Sequence, residues 1–361
     1  MISAVGDVTD APKRSDAKRV AVLQGGRSLE RGVSLRSAAQ VQDALQRLGH
    51  DTVAIDAGPE LVAKLRAVEP DAVFVAMHGG DGEDGTVQEL LEAVGVPYTG
   101  SGPAACVQCS DKVLAKHLMR AAGIPTPDFH AFSEASFKQL GGAGTLADVG
   151  ARLGFPLVVK PACQGSALGV RFARTAAEVP SALVAAFSYD RKVLIERYVQ
   201  GRDLAVSVLA CLLPSEGPGE EDRLSSATES PREGDAADGG KPKSSPTPLP
   251  VVEAVPREED FYDFEARYEI GRTTFVCPAE LSPETTARAH ELALETYRLL
   301  GCHGYARVDL MLDEATGELA VLETNVVPGL TATSLLPQAA DAAGIGFDTL
   351  IGRILDSAFT R

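Results

Sequence analysis

Two apolar-alternating runs near the carboxy terminus, ARVDLMLD and ELAVLETN, are joined by a few residues that include Gly317. A side-chain period of two on either side of a glycine turn is the signature of a β-hairpin. With Ala315, Thr316 and Gly317 as the loop and the glycine left-handed, Glu314 faces Glu318. That register sets Asp309 opposite Glu323 and Arg307 opposite Asn325, and the period of two points all four to one face. Two carboxylates, an amide oxygen and a guanidinium on a rigid scaffold suit oxygen-ligated magnesium beside an anionic reaction centre. Taken alone, the same face reads equally well as a solvated surface with an Asp–Arg ion pair. The next segment, VVPGLTATSLLPQAA, tips the balance: it brings a Pro-Gly turn, hydroxyls and a helix start, offering backbone N–H groups and Ser334 to an anion.

The rest of the chain alternates in a different rhythm. RVAVLQGG reads as a buried strand entering a glycine turn, followed by a helix over residues 34–48 that Gly49 stops. Strand 52–55, helix 60–67, strand 72–76, a glycine-rich loop and helix 87–93 continue the pattern, which implies a parallel sheet with covering helices. From Ser101 a helix capped by Ser110 or Asp111 leads into extended segments around PLVVKP, GVRFA and KVLIERYV, a smaller α+β unit. Residues 214–248 are rich in Pro, Gly, Ser and acid with almost nothing apolar, the composition of a disordered insertion. A helix over residues 283–300, the hairpin and two short helices complete the chain. The expected organisation is a polar tail over residues 1–16, an α/β domain over 17–100, a central α+β domain over 101–198 and a carboxy-terminal α+β domain over 199–361.

Function classes fall away on simple grounds. A net charge of −16 opposes wrapping of nucleic acid, which needs a concentrated basic surface. The longest apolar runs fall far short of the roughly 20 residues that cross a bilayer, and the charged amino terminus lacks an apolar signal core. No membrane association, a cytoplasmic location and six reduced cysteines are expected, with the lone Cys106-x-x-Cys109 spacing neither a zinc nor a redox site. GGRSLERGVS lacks the GxGxxG order of a dinucleotide site, and VVKPACQGSALGV lacks the Walker lysine order. In the latter, however, a lysine ends a buried strand before a glycine-flanked turn whose amides could cover phosphate. HGGDGEDGT reads individually as an acidic surface turn and Glu30 as a first-turn helix acid.

The segments VAVLQGGRSLERGVSL, MHGGDGEDGTVQELLE, YTGSGPAA, SDKVLAKHLM, VVKPACQGSALGV, FYDFEARY and the hairpin with its sequel occur in this order. In that combination the chain resembles D-alanine–D-alanine ligases over nearly its whole length outside the tail and insertion. The resemblance implies an ATP-grasp fold, with ATP between the central and carboxy-terminal domains and the amino acids toward the amino-terminal one. It assigns Lys112, Lys160 and Arg267 to the ATP phosphates, and Gly165, Ser166 and Gly169 to a phosphate-covering loop. Glu196, Arg197 and Val199 fall in the adenine hinge, Asp203 on the ribose. Asp309, Glu323 and Asn325 become ligands of two magnesium ions, or manganese. Glu30 and His78 lie near the first amino acid, Arg307 and the Gly329 amide face the oxyanion, Ser334 and Leu335 the second carboxylate, and Tyr268 is a substrate-binding loop tyrosine. A homodimer is implied. Phe264, Arg267, Ala167 and Val326 depart from the usual residues and bear on substrate choice, leaving another dipeptide or a D-lactate-type ester as the alternative product. Retained Tyr268 favours an amine as second nucleophile. A regulator that has lost catalysis would lack a phosphate lysine or metal ligand, and none is missing.

Overall fold

The structure, a computed structural model, describes residues 17–210, 245–256 and 273–361. Three sheets form. Strands β1 (Arg19–Gln24), β2 (Asp51–Asp56) and β3 (Ala72–Val75) make a parallel sheet in the order β2-β1-β3. Its helices are α1 (Arg31–Arg47), α2 (Leu61–Val68) and α3 (Thr86–Val94). Helix α1 buries Val33, Ala38, Val41, Ala44 and Leu45, the three- and four-residue spacing of one helical face. The chain leaves it through Gly49 at φ +91, a conformation only glycine adopts freely. The expected strand–helix alternation is thus found, with ends moved by one to three residues.

Helices α4 (Pro103–Ser110) and α5 (Lys112–Ala121) follow. Asp111 caps α5, its carboxylate accepting from the Val113 and Leu114 amides at 3.0 and 3.1 Å. The sequence reading groups these helices with the central unit, but Cys106, Cys109, Ala115 and Met119 pack in the core of the large carboxy-terminal sheet. The small central sheet has antiparallel order β4-β7-β5-β6, from β4 (Phe129–Ser133), β5 (Leu157–Pro161), β6 (Arg171–Ala173) and β7 (Lys192–Arg197). Val149 and Leu153 of α7 (Leu146–Leu153) and Leu183 of α8 (Val179–Phe187) close a separate core beneath it, a short α6 (Glu134–Gln139) lying at its edge.

The third sheet runs β11 (Thr273–Val276), β10 (Val252–Pro256), β8 (Gly201–Leu209), β12 (Tyr305–Asp313) and β13 (Leu319–Asn325). Thr247–Pro248 forms a further strand, β9, on β8, so the last residues assigned to the disordered insertion are ordered by sheet pairing. Residues 214–244 of that insertion lie outside the described residues. One face of the sheet, with Val206, Val208, Ala306, Val308 and Leu310, packs on α9 (Pro283–Leu299) through Leu292, Ala293 and Tyr297. The other carries Ala205, Leu209 and Tyr305 against α10 (Leu335–Ala342), α11 (Phe347–Ser357) and the first sheet, in one shared core.

The hairpin closes differently from its expected turn. The Asp313 amide donates to Glu318 O at 2.9 Å, so the loop has four residues, Glu314 to Gly317, with Gly317 left-handed at φ +72. Leu312 pairs with Leu319 and Leu310 with Val321, a register one residue off the expected one. A β-bulge then leaves Leu322 without an opposite number, after which Asp309 pairs with Glu323 and Arg307 with Asn325, as the sequence predicts. The bulge changes which face odd-numbered residues occupy. Leu319 and Val321 enter the α9 core, whereas Glu323 and Asn325 share the opposite face with Arg307 and Asp309. In an unbulged ladder Glu323 would stand opposite Val308 and enter the apolar core, where an ionised carboxylate is costly.

Candidate active site

Two open clefts of about 1130 and 910 Å3 lie side by side, and Lys112, Gln164 and Glu323 line both. The first is lined by Glu30, His78, Gly165 and Ser166 together with Arg307, Asn325, Gly329, Ser334 and Leu335. The second is lined by Lys160, Glu196, Arg197, Val199 and Asp203. Asp309 and Gly169 line neither. Asp309 stands behind Arg307, whose Nε and Nη2 donate to its two carboxylate oxygens at 2.6 and 2.8 Å, both residues being buried. Gly169 packs where a side chain would strike Tyr189 and Pro161. Tyr268, Arg267 and Phe264 fall outside the described residues.

Electrostatics distinguish the two clefts. Burial opposes the charge of Lys112, but Glu323 at 3.2 Å outweighs it and raises the ammonium's pKa, while Nζ also donates to Gln164 O at 2.7 Å. Beneath the second cleft, Lys160 Nζ lies 2.5 Å from Glu196 Oε1 and Lys116 Nζ 3.1 Å from Oε2. Burial pushes the Glu196 carboxyl up, yet the two ammoniums prevail and hold it below the usual range. For Lys116, fully buried, desolvation prevails over Glu196 and brings its pKa down to about 8. Lys116 has no place in the sequence reading; its spacing of one helical turn from Lys112 was the available signal.

Glu30 and Ser166 join the amino-terminal and central units. Ser166 Oγ donates to Glu30 Oε1, and side chains at Gly79 or Gly165 would strike the Glu30 carboxylate. Ser166 and Ala167 hold left-handed φ of 51 and 56, which for non-glycine residues costs on the order of 1–3 kcal/mol each. Such a loop needs an anchor, and a hydrogen bond to a buried carboxylate, worth about 1.5–3 kcal/mol, is one. We expect Ser166→Ala to lower kcat/KM by about 10- to 100-fold and Tm by about a few degrees, measured by steady-state kinetics and thermal unfolding. Unchanged kcat/KM would remove the anchor role.

His78 braces the first cleft. Its Nδ1 carries a proton, because the partner at 2.9 Å is the Val327 carbonyl, which can only accept. Nε2 is 2.9 Å from Ser37 Oγ, which in turn accepts from the Leu330 amide at 3.3 Å, so the 327–330 loop is fixed to α1. Ser334, at the start of α10, turns its hydroxyl to the Thr331 amide at 3.0 Å rather than capping its own helix. A Cβ on Gly329 would lie 2.6 Å from that hydroxyl, so the close approach requires glycine. Cys109 also lines the first cleft, 3.7 Å from Cys302. The hydrogen bond to Cys302 and burial raise the Cys109 pKa, and burial takes Cys106 to about 12, so the reactive thiolate is disfavoured at both.

A divalent cation fits the hairpin face by donor chemistry. Glu323 presents a carboxylate to both clefts beside Lys112, Asp309 a carboxylate that Arg307 holds and whose remaining lone pairs could serve, and the Asn325 amide oxygen has two lone pairs, of which the Val327 N–H at 3.0 Å takes one. Among the described residues no three of His, Cys, Asp and Glu converge into a closed metal cage. A set this sparse suits magnesium, which uses one or two carboxylates and completes its shell with substrate phosphates and water.

Sequence families described as D-ala D-ala ligase N-terminus and D-ala D-ala ligase C-terminus match residues 58–101 and residues 118–217 with 243–356. D-alanine–D-alanine ligase of Moorella thermoacetica is 38% identical over 340 residues, covering 94% of this chain and 99% of that protein. The Alcanivorax borkumensis enzyme of the same name is 40% identical, covering 95% and 94%. The crystal structure of Bacillus anthracis D-alanine–D-alanine ligase complexed with ATP superposes with a TM-score of 0.73 at 30% identity, covering 95% of this chain and 98% of that one. The three-sheet arrangement is accordingly the ATP-grasp fold expected from the sequence. With both halves matched and nearly the full length shared, the chain belongs to the D-alanine–D-alanine ligase family.

Proposed function

We propose that this protein joins two D-alanines into D-alanyl-D-alanine for peptidoglycan precursors, converting ATP to ADP and phosphate. The observation that carries the reading is the junction of the two clefts at Lys112 and Glu323: a lysine-rich one suited to nucleotide and an Arg307–Gly329–Ser334 one suited to carboxylates. A carboxylate cannot expel oxide, so the first D-alanine attacks the γ-phosphorus of ATP, ADP leaves, and an acyl phosphate forms. The amine of the second D-alanine attacks the acyl carbon, phosphate departs, and the amine loses a proton.

Lys112 and Lys160 neutralise the nucleotide's phosphates, Arg267 joining them, and the Gly165–Ser166–Gly169 turn covers them. Glu196, Arg197 and Val199 receive adenine and Asp203 the ribose. Asp309, Glu323 and Asn325 would hold magnesium, or manganese, which supplies charge neutralisation at the transferring phosphoryl group. Glu30 with His78 orients the first amino acid, and the family resemblance assigns Tyr268 to substrate binding. Arg307 and the Gly329 amide stabilise the tetrahedral oxyanion, and Ser334 with the Leu335 amide binds the second carboxylate. A division into amino-terminal, central and carboxy-terminal domains, a cytoplasmic location and a homodimer belong to this reading, supported by the family resemblance, with helices α4 and α5 packing in the core of the large sheet. No helix of the described residues is long and apolar enough to cross a membrane.

Phosphate release measured with D-alanine, D-serine, D-lactate and L-amino acids tests the substrate. ATP-dependent release with D-alanine alone as both substrates is the expected result. Silence with D-alanine and turnover with another acceptor would overturn it.

A further inference from the structure

Lys116 belongs to neither cleft, yet it stands between their two most constrained features. It is fully buried on α5, one turn beyond Lys112. Its Nζ contacts Glu196 Oε2 at 3.1 Å and donates to Thr126 Oγ1 at 2.5 Å. Thr126 passes the link on: its hydroxyl donates to Val321 O at 2.7 Å, and Pro125 O accepts the Val321 amide at 2.8 Å. Val321 is the residue immediately before the bulge at Leu322. Both backbone groups that Val321 turns away from β12 are therefore held by the segment that Lys116 braces.

A buried ammonium is destabilising unless its partners recover the cost, and a buried ion cluster taken as a whole is often no more stabilising than apolar residues of the same volume. Its presence here calls for a role other than stability. We propose that Lys116 is a positioning residue of the ligase reaction: through Glu196 it sets Lys160 for the nucleotide, and through Thr126 it fixes the bulge that aims Glu323 at the metal. The two arms have separate signatures. Losing the Glu196 arm lets that carboxylate draw Lys160 away from phosphate and weakens nucleotide binding. Losing the Thr126 arm frees Val321, lets the bulge relax toward the straight ladder and raises the metal requirement. Neither arm reaches the Arg307–Gly329–Ser334 end of the first cleft, so affinity for D-alanine is left in place.

The proposal rests on the ligase reading, and the test separates the two. In K116M, the dissociation constant of a non-hydrolysable ATP analogue, measured by calorimetry, is expected to rise about tenfold. The magnesium concentration for half-maximal turnover should rise similarly, with KM for D-alanine within twofold of wild type. T126V should raise the magnesium requirement while leaving analogue affinity unchanged, and T126S, which restores the hydroxyl, should recover the wild-type requirement. A K116M protein with unchanged analogue affinity, or a T126V protein with unchanged magnesium dependence, overturns the proposal. So does an equal loss of ATP, magnesium and D-alanine affinity accompanied by a lower Tm, which is what a merely structural lysine would produce. Should K116M not fold, the T126V and T126S pair decides the bulge arm alone. Absence of D-alanine turnover in the wild type would reject the ligase reading, while analogue binding to wild type and K116M still decides the nucleotide arm.

Discussion

Glu323→Gln is expected to lower kcat by about 10^3-fold at saturating ATP and D-alanine while leaving the fold intact. A bound metal supplies several kcal/mol of transition-state charge stabilisation, and each 1.36 kcal/mol is tenfold in rate. The substitution removes one of the two anionic donors proposed for the metal and the charged partner of Lys112 at 3.2 Å. Stability should fall without loss of the fold, because buried Lys112 loses the carboxylate that offsets its desolvation, although glutamine can still accept from its ammonium. Raising magnesium or manganese should recover part of the lost rate, since the carbonyl oxygen of glutamine remains a weak ligand. Turnover near that of wild type at ordinary magnesium would remove Glu323 from the metal set. Asp309→Asn is a less clean companion experiment: its carboxylate is also the bidentate partner of a buried guanidinium, so lost activity there would mix metal and structure.

The same residue shows how far the sequence could be read. Pattern and period placed the hairpin, and the pairs Asp309–Glu323 and Arg307–Asn325 are those observed, although the assumed turn is one residue shorter than the real one. Two errors cancelled. The true turn shifts the register by one and the bulge at Leu322 shifts it back. A bulge leaves no residue-type mark on an alternating apolar run, and what holds this one is Pro125 and Thr126, almost two hundred positions away. Lys116 escaped notice for a related reason. A lysine on an amphipathic helix reads as solvent-facing, and only the packing of α5 across β7 and β13 shows that it is sealed against Glu196. The helices of residues 103–121 were likewise legible as helices, but whether they pack with the small sheet or the large one depends on contacts far along the chain. The strand at Thr247–Pro248 is a further case, since proline and threonine beside a polar run give no strand signal.

The second large effect lies at Arg307. Arg307→Met should lower kcat by about 10^2- to 10^3-fold, the range seen when one oxyanion donor is removed from an active site. It should also destabilise the protein by about 3–5 kcal/mol, because Asp309 is left as a buried charge without its bidentate partner. These losses have different origins and can be separated. In the double variant Arg307→Met/Asp309→Leu the buried pair is replaced by apolar side chains of similar volume, a change that is often neutral or stabilising. Thermal unfolding should therefore return toward the wild-type Tm, with a favourable coupling between the two positions, whereas kcat should fall further because a proposed metal ligand has gone as well. Stability without turnover is what a guanidinium held by Asp309 and proposed to face a developing oxyanion predicts. Recovery of turnover in the double variant would make Arg307 no more than the counter-ion of Asp309. Failure of Tm to recover would instead mean that the pair is coupled to further groups around the first cleft, and that the oxyanion role must be measured with Asp309 unchanged, by comparing Arg307→Lys, which keeps the charge but loses the planar fork, with Arg307→Met.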